Sequence, residues 1–72
     1  MNFSEMVKES RAKLGWSYRK LSSETGISHS HIRDIENGKY TPSFENAVKL
    51  ASTLDIDITK VIVSTYQAQL RD

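Results

Sequence analysis

Serines and glycines cut this chain into short pieces, and that punctuation restricts it to a packing of short helices. Gly15, Gly26 and Gly38 each follow a stretch of helix-forming residues, while Ser17, Ser28 and Ser43 each precede one. Glycine suits the position just past a helix end because it takes a left-handed backbone without a Cβ clash. Serine suits the position before a helix because its hydroxyl accepts from an amide that has no partner inside the helix. Asn2, with Glu5 three residues later, has the spacing of a capping box. The first helix is therefore expected from Asn2 to about Leu14, with Met6, Val7 and Leu14 as its apolar positions. A second runs from Tyr18 to Thr25, and a third from a Ser28 cap to Asn37. After a loop, Lys39-Tyr40-Thr41-Pro42, Ser43 caps a fourth, with Phe44, Ala47, Val48, Ala51 and Leu54 on one stripe. Asp57 opens a fifth, with Ile58, Val61 and Ile62 inward. The β-branched run Val61-Ile62-Val63 is strand-like, but too few strand-like partners exist elsewhere. The reading is all-α, five helices in a single domain over residues 1–72.

With 72 residues the chain has room for one small core. A chain of this length buries only about 60% of its unfolded surface, so its elements must be efficient. It has no cysteine, which excludes disulfides, thiolate metal sites and a cysteine nucleophile, and fits a reducing compartment. The opening residues MNFSEMVKES lack the basic and apolar regions of a signal peptide. No run approaches the roughly 18 apolar residues of a membrane span. A cytoplasmic protein with no membrane contact is expected. The formal net charge is only +1, but it is unevenly spread. Between residues 11 and 39, Arg11, Lys13, Arg19, Lys20, Arg33 and Lys39 outweigh Glu24, Asp34 and Glu36. Both flanking segments are slightly acidic. Charge alone fits a solvated surface as well as a polyanion partner.

Residues 17–38, SYRKLSSETGISHSHIRDIENG, hold two short helices around the tight turn Thr25-Gly26-Ile27-Ser28. Gly26 can take positive φ at that corner, and Leu21, Ile27, Ile32 and Ile35 supply the apolar residues where the helices cross. At about 100° per residue, Ile32 and Ile35 share one side of the third helix. Ser30, Arg33, Asp34 and Asn37 occupy the other side, with His29 on its edge and His31 nearer the buried side. That exposed face is rich in hydrogen-bonding groups and poor in long aliphatic chains. It suits base edges in a major groove, although a plain solvated face would have a similar composition. An enzyme has little to build on. His29 and His31 are two apart on a helix, so they point in different directions and cannot share a metal; Ser22 and Ser23 have no nearby base. No metal, cofactor or catalytic residue is expected.

The run of Arg11, Gly15-Trp16-Ser17, Leu21, Gly26-Ile27-Ser28, Ile32, Ile35-Glu36-Asn37-Gly38, Pro42-Ser43-Phe44, Leu50-Ala51, Leu54 and Ile56-Asp57-Ile58 resembles the Cro and phage-repressor type helix-turn-helix proteins, also called xenobiotic-response-element-like regulators. The resemblance extends from Arg11 to Ile62 and implies a compact lambda-repressor-like domain whose third helix enters the major groove of double-stranded DNA. It implies base contact by His29, Ser30 and Asp34, with Arg33 reaching a base or a phosphate. Tyr18, Ser28, Asn37, Lys39, Tyr40 and the amides at the helix N-terminus would hold phosphates. Arg11 and Glu36 would form a largely buried ion pair that fixes the angle of the reading helix. Two residues depart from the family's pattern. Tyr18 stands where glutamine is frequent, and Asp34 points an anion at a polyanion, either accepting from cytosine N4 or holding Arg33 or His29 in one rotamer.

Beyond the core, Val61, Ile62, Tyr66 and Leu70 continue a helical spacing, which makes residues 59–72 a candidate dimerisation segment. A homodimeric transcriptional repressor is the reading that follows. Relatives of this type also serve as DNA-binding antitoxins, as controllers of restriction-modification genes, or as modules that bind a protein partner. These remain alternatives for this chain.

Overall fold

The structure, a computed structural model, describes residues 2–57 and Thr59. In chain order it contains α1 (Phe3–Lys13), α2 (Tyr18–Thr25), α3 (His29–Glu36) and α4 (Phe44–Leu54). Each begins where the capping chemistry places it. Asn2 accepts from the Glu5 amide, and the Glu5 carboxylate accepts from the Asn2 amide in return. The Ser17, Ser28 and Ser43 hydroxyls accept from the amides of Lys20, His31 and Asn46. The α2 helix ends on Gly26 in the left-handed region at φ 78°, the conformation the corner requires. No strand occurs among the described residues. The fifth helix expected from Asp57 lies outside the described residues, except that the Asp57 carboxylate accepts from the amide and hydroxyl of Thr59.

The core is drawn from all four helices and the α2–α3 turn. Phe3, Val7, Leu21, Ile27, Ile32, Ile35, Ala47, Leu50 and Leu54 form one buried cluster, with Trp16, Tyr18 and Ile56 packed against its edge. The α3 helix packs on α2 and α1, while α4 closes the other side against α1 and α2. Ile32 and Ile35 are completely buried, so α3 is held by its inner side and presents the outer side to solvent. Burying an isoleucine or leucine side chain contributes about 1.5–3 kcal/mol, and α3 spends two of its eight residues this way.

Three apolar residues depart from expectation. Leu14 is 49% exposed, although as the C-cap of α1 it keeps a helical backbone and its amide donates to the Ser10 carbonyl. Phe44 is 53% exposed. It is the first residue of α4, and helical side chains lean toward the N-terminus, so its ring projects past the start of the stripe. Phe3, not singled out by periodicity, is buried; it lies one turn before Val7 on the same side of α1.

Candidate nucleic-acid interface

One ion pair links α1 to the end of α3. Glu36, on the last turn of α3, has a side chain with no solvent exposure. Its two oxygens accept from Arg11 Nε at 2.7 Å and Arg11 Nη2 at 3.0 Å, the fork geometry that suits guanidinium and carboxylate. Arg11 Nη1 donates to the Trp16 carbonyl at 2.7 Å. Arg11 Cζ lies over the Tyr18 ring, 4.3 Å from its centroid. One side chain of α1 thus meets the α1–α2 turn, the start of α2 and the end of α3. The hydrogen bond to Glu36 raises the Arg11 pKa above its ordinary value, against an opposing effect of burial. A buried pair of this kind need not add net stability; what it does is tie the middle of α1 to the last turn of α3.

On the outer side of α3, His29, Ser30 and Arg33 are exposed and Asp34 is half-buried. The four expected base-contacting residues therefore lie on one helix, three of them exposed to solvent. Asp34 forms no ion pair with Arg33 or His29, so of its two expected roles the rotamer brace has no contact behind it in the free protein.

The residues expected to hold phosphates surround this face. Ser28 is exposed, and because its oxygen accepts from His31 N, its own O–H is left to donate outward. Asn37 is the exposed C-cap of α3, and Lys39 and Tyr40 are exposed in the following loop. Tyr18 differs. It is half-buried, its ring fixed between the core and Arg11, so its hydroxyl has little freedom to search for a partner. Two contacts were not anticipated. Lys20 lies over the Trp16 ring at 5.4 Å and pairs with Glu24 at 3.3 Å, so this cation of the basic middle segment is already engaged. The His31 ring packs against Tyr40, with centroids 5.7 Å apart. The sequence signal for the second was only the placement of His31 toward the inner flank of α3. Among the described residues no three His, Cys, Asp or Glu side chains gather as a metal site. No described helix is long and apolar enough to cross a membrane.

A sequence profile of the helix-turn-helix family matches residues 7–61. The uncharacterized HTH-type transcriptional regulator YgzD of Bacillus subtilis is 34% identical over 55 residues, which are 76% of this chain and 83% of that protein. An uncharacterized HTH-type transcriptional regulator of Archaeoglobus fulgidus is 32% identical over 57 residues, 79% of this chain and 80% of its own length. The HTH-type transcriptional regulator SlrR of Bacillus subtilis is 35% identical over 52 residues, covering 71% of this chain but only 34% of that longer protein. No solved structure gives a significant match.

Proposed function

This chain belongs to the Cro-type helix-turn-helix family of transcriptional regulators, and on that premise we propose that it binds a specific sequence of duplex DNA as a homodimeric repressor. One observation carries the reading: α3 is anchored by buried Ile32, Ile35 and Glu36 while its open side presents His29, Ser30 and Arg33. A helix anchored on one side and polar on the other fits the major groove, where each base pair offers its own set of donors and acceptors.

In this reading His29, Ser30, Arg33 and Asp34 meet base edges, and Arg33 bidentate to guanine makes the strongest single contact. With no ion pair to it among the described residues, the Asp34 carboxylate is assigned to cytosine N4. Ser28, Tyr18, Asn37, Lys39 and Tyr40 meet phosphates and set the position of the domain on the duplex. Dimerisation is assigned to Val61, Ile62, Tyr66 and Leu70, which lie outside the described residues. A symmetric pair of domains reads two half-sites one helical turn, about 34 Å, or a multiple apart. Repression follows from occupying the duplex against other proteins.

The test is selection of bound duplexes from a random pool. Enrichment of a two-fold symmetric consensus is the expected result. Enrichment of a single asymmetric site overturns the dimer, and no enrichment overturns sequence-specific binding.

A further inference from the structure

The loop between α3 and α4 is tied at both ends and open in the middle. At its start Gly38 takes φ 78°, its amide donates to the Ile35 carbonyl at 3.1 Å, and the Lys39 amide donates to the Asp34 carbonyl at 2.9 Å. At its end Pro42 is buried and Ser43 caps α4. Between these anchors Lys39, Tyr40 and Thr41 are exposed, and Tyr40 is 56% exposed. A tyrosine that open to water would ordinarily sample several rotamers. Here its ring lies against His31, with centroids 5.7 Å apart and planes tilted by 43°, inside the range of about 4.5–7 Å in which ring pairs attract.

His31 is well placed to act as a prop. It is half-buried on the flank of α3, turned away from the side that carries Ser30 and Arg33. Its own amide is tied to Ser28, and its neighbour Ile32 is completely buried. Anchorage thus passes from the core through α3 and His31 to the exposed loop.

We propose that His31 is a positioning residue for the DNA backbone contact: its imidazole holds Tyr40, and with it Lys39, in the arrangement that meets a phosphate. The inference rests on the duplex binding proposed above and adds a role that base or phosphate contact does not assign to His31. Its benefit is preorganisation, since a loop already in its bound form loses less freedom on binding.

The test measures binding of the full chain to a selected duplex and to a scrambled one across a range of salt, for His31→Ala, His31→Phe, Tyr40→Ala and the double variant His31→Ala/Tyr40→Ala. His31→Ala is expected to weaken binding to both duplexes by the same factor, about tenfold, as for one lost hydrogen bond to a charged group. It should also flatten the log–log salt slope by about 0.9, the signature of one phosphate no longer neutralised. His31→Phe, which keeps a ring against Tyr40, should restore most of the affinity and the slope. The double variant should bind no worse than the weaker single variant, because the two residues act as a unit. Losses that simply multiply in the double variant, or an unchanged salt slope, overturn the proposal. So does a His31→Ala effect confined to the selected duplex, which would make His31 a base reader. A wild type that prefers neither duplex overturns the proposed function and this inference with it; a selective wild type with independent losses overturns only this inference.

Discussion

At Asp34 a half-buried carboxylate stands on the side of α3 that faces the proposed duplex, with no cationic side chain of α3 to neutralise it. In the proposed complex it would cost affinity near phosphates on every sequence, and would offset part of that cost only where a cytosine N4 donates to it. Asp34→Asn should therefore tighten binding to scrambled duplex while reducing the preference for the selected site by about 1–3 kcal/mol, measured by parallel titrations. Tighter binding to both without loss of preference would remove Asp34 from the base contacts. Glu36 behaves differently because its side chain has no solvent exposure. Glu36→Ala leaves the Arg11 guanidinium without its fork partner, and thermal unfolding should show a loss of about 3 kcal/mol. Since the hydrogen bond raises the Arg11 pKa, the arginine's share of that stability is present throughout ordinary pH and is lost only in strong alkali. Arg11 and Glu36 were legible in the sequence only through family resemblance, because residues 25 apart in the chain carry no periodic signal of their pairing. Leu14, Phe44 and Phe3 mark a second limit. A helical repeat gives the angle of a side chain around its axis, but burial near a helix end also depends on where the helix stops.

Helix boundaries were the most legible feature because capping is local chemistry. Asn2, Ser17, Ser28 and Ser43 each accept from the amide of the third residue of the helix they open, and those residue types were visible without any tertiary contact. Ser28→Ala should cost about 1 kcal/mol of stability, and it should also weaken DNA binding if its hydroxyl meets a phosphate. Gly26 has open space where a Cβ would sit, so Gly26→Ala should cost only the left-handed backbone penalty, about 1–2 kcal/mol. The angle of α3 is a separate matter from its stability. Replacing the ion pair by Arg11→Met with Glu36→Leu should leave the unfolding temperature close to wild type, since a well-packed apolar pair can substitute for a buried ionic one. If the fork sets the helix angle, DNA affinity should nevertheless fall. Wild-type affinity in that variant would mean that packing of Ile32 and Ile35 alone aims the helix. The contact of His31 with Tyr40 escaped the sequence reading for a physical reason: it joins a helix flank to a loop whose path no repeat describes.

The basic middle segment of the chain is the part that contributes α2, α3 and the following loop. Binding should weaken with salt at a log–log slope of about −0.9 per phosphate neutralised, so affinities are comparable only at one ionic strength. If Val61, Ile62, Tyr66 and Leu70 form the dimer contact, sedimentation of the intact chain should give twice the mass of a chain truncated after Val63. Equal masses would place the contact elsewhere or make the protein a monomer. The all-α class and the order of the four helices followed from caps and apolar spacing. The exposure of His29, Ser30 and Arg33 on one side of α3 was legible from its helical spacing, but the buried contacts that anchor α3 to distant parts of the chain were not. The central claim is that the outer side of α3 reads base pairs, and Arg33→Ala tests it most directly when titrated against the selected and the scrambled duplex at one salt concentration. The account predicts a loss of about 1–3 kcal/mol on the selected site and a much smaller loss on the scrambled one. An identical loss on both would make Arg33 a phosphate contact and contradict the claim for its principal residue.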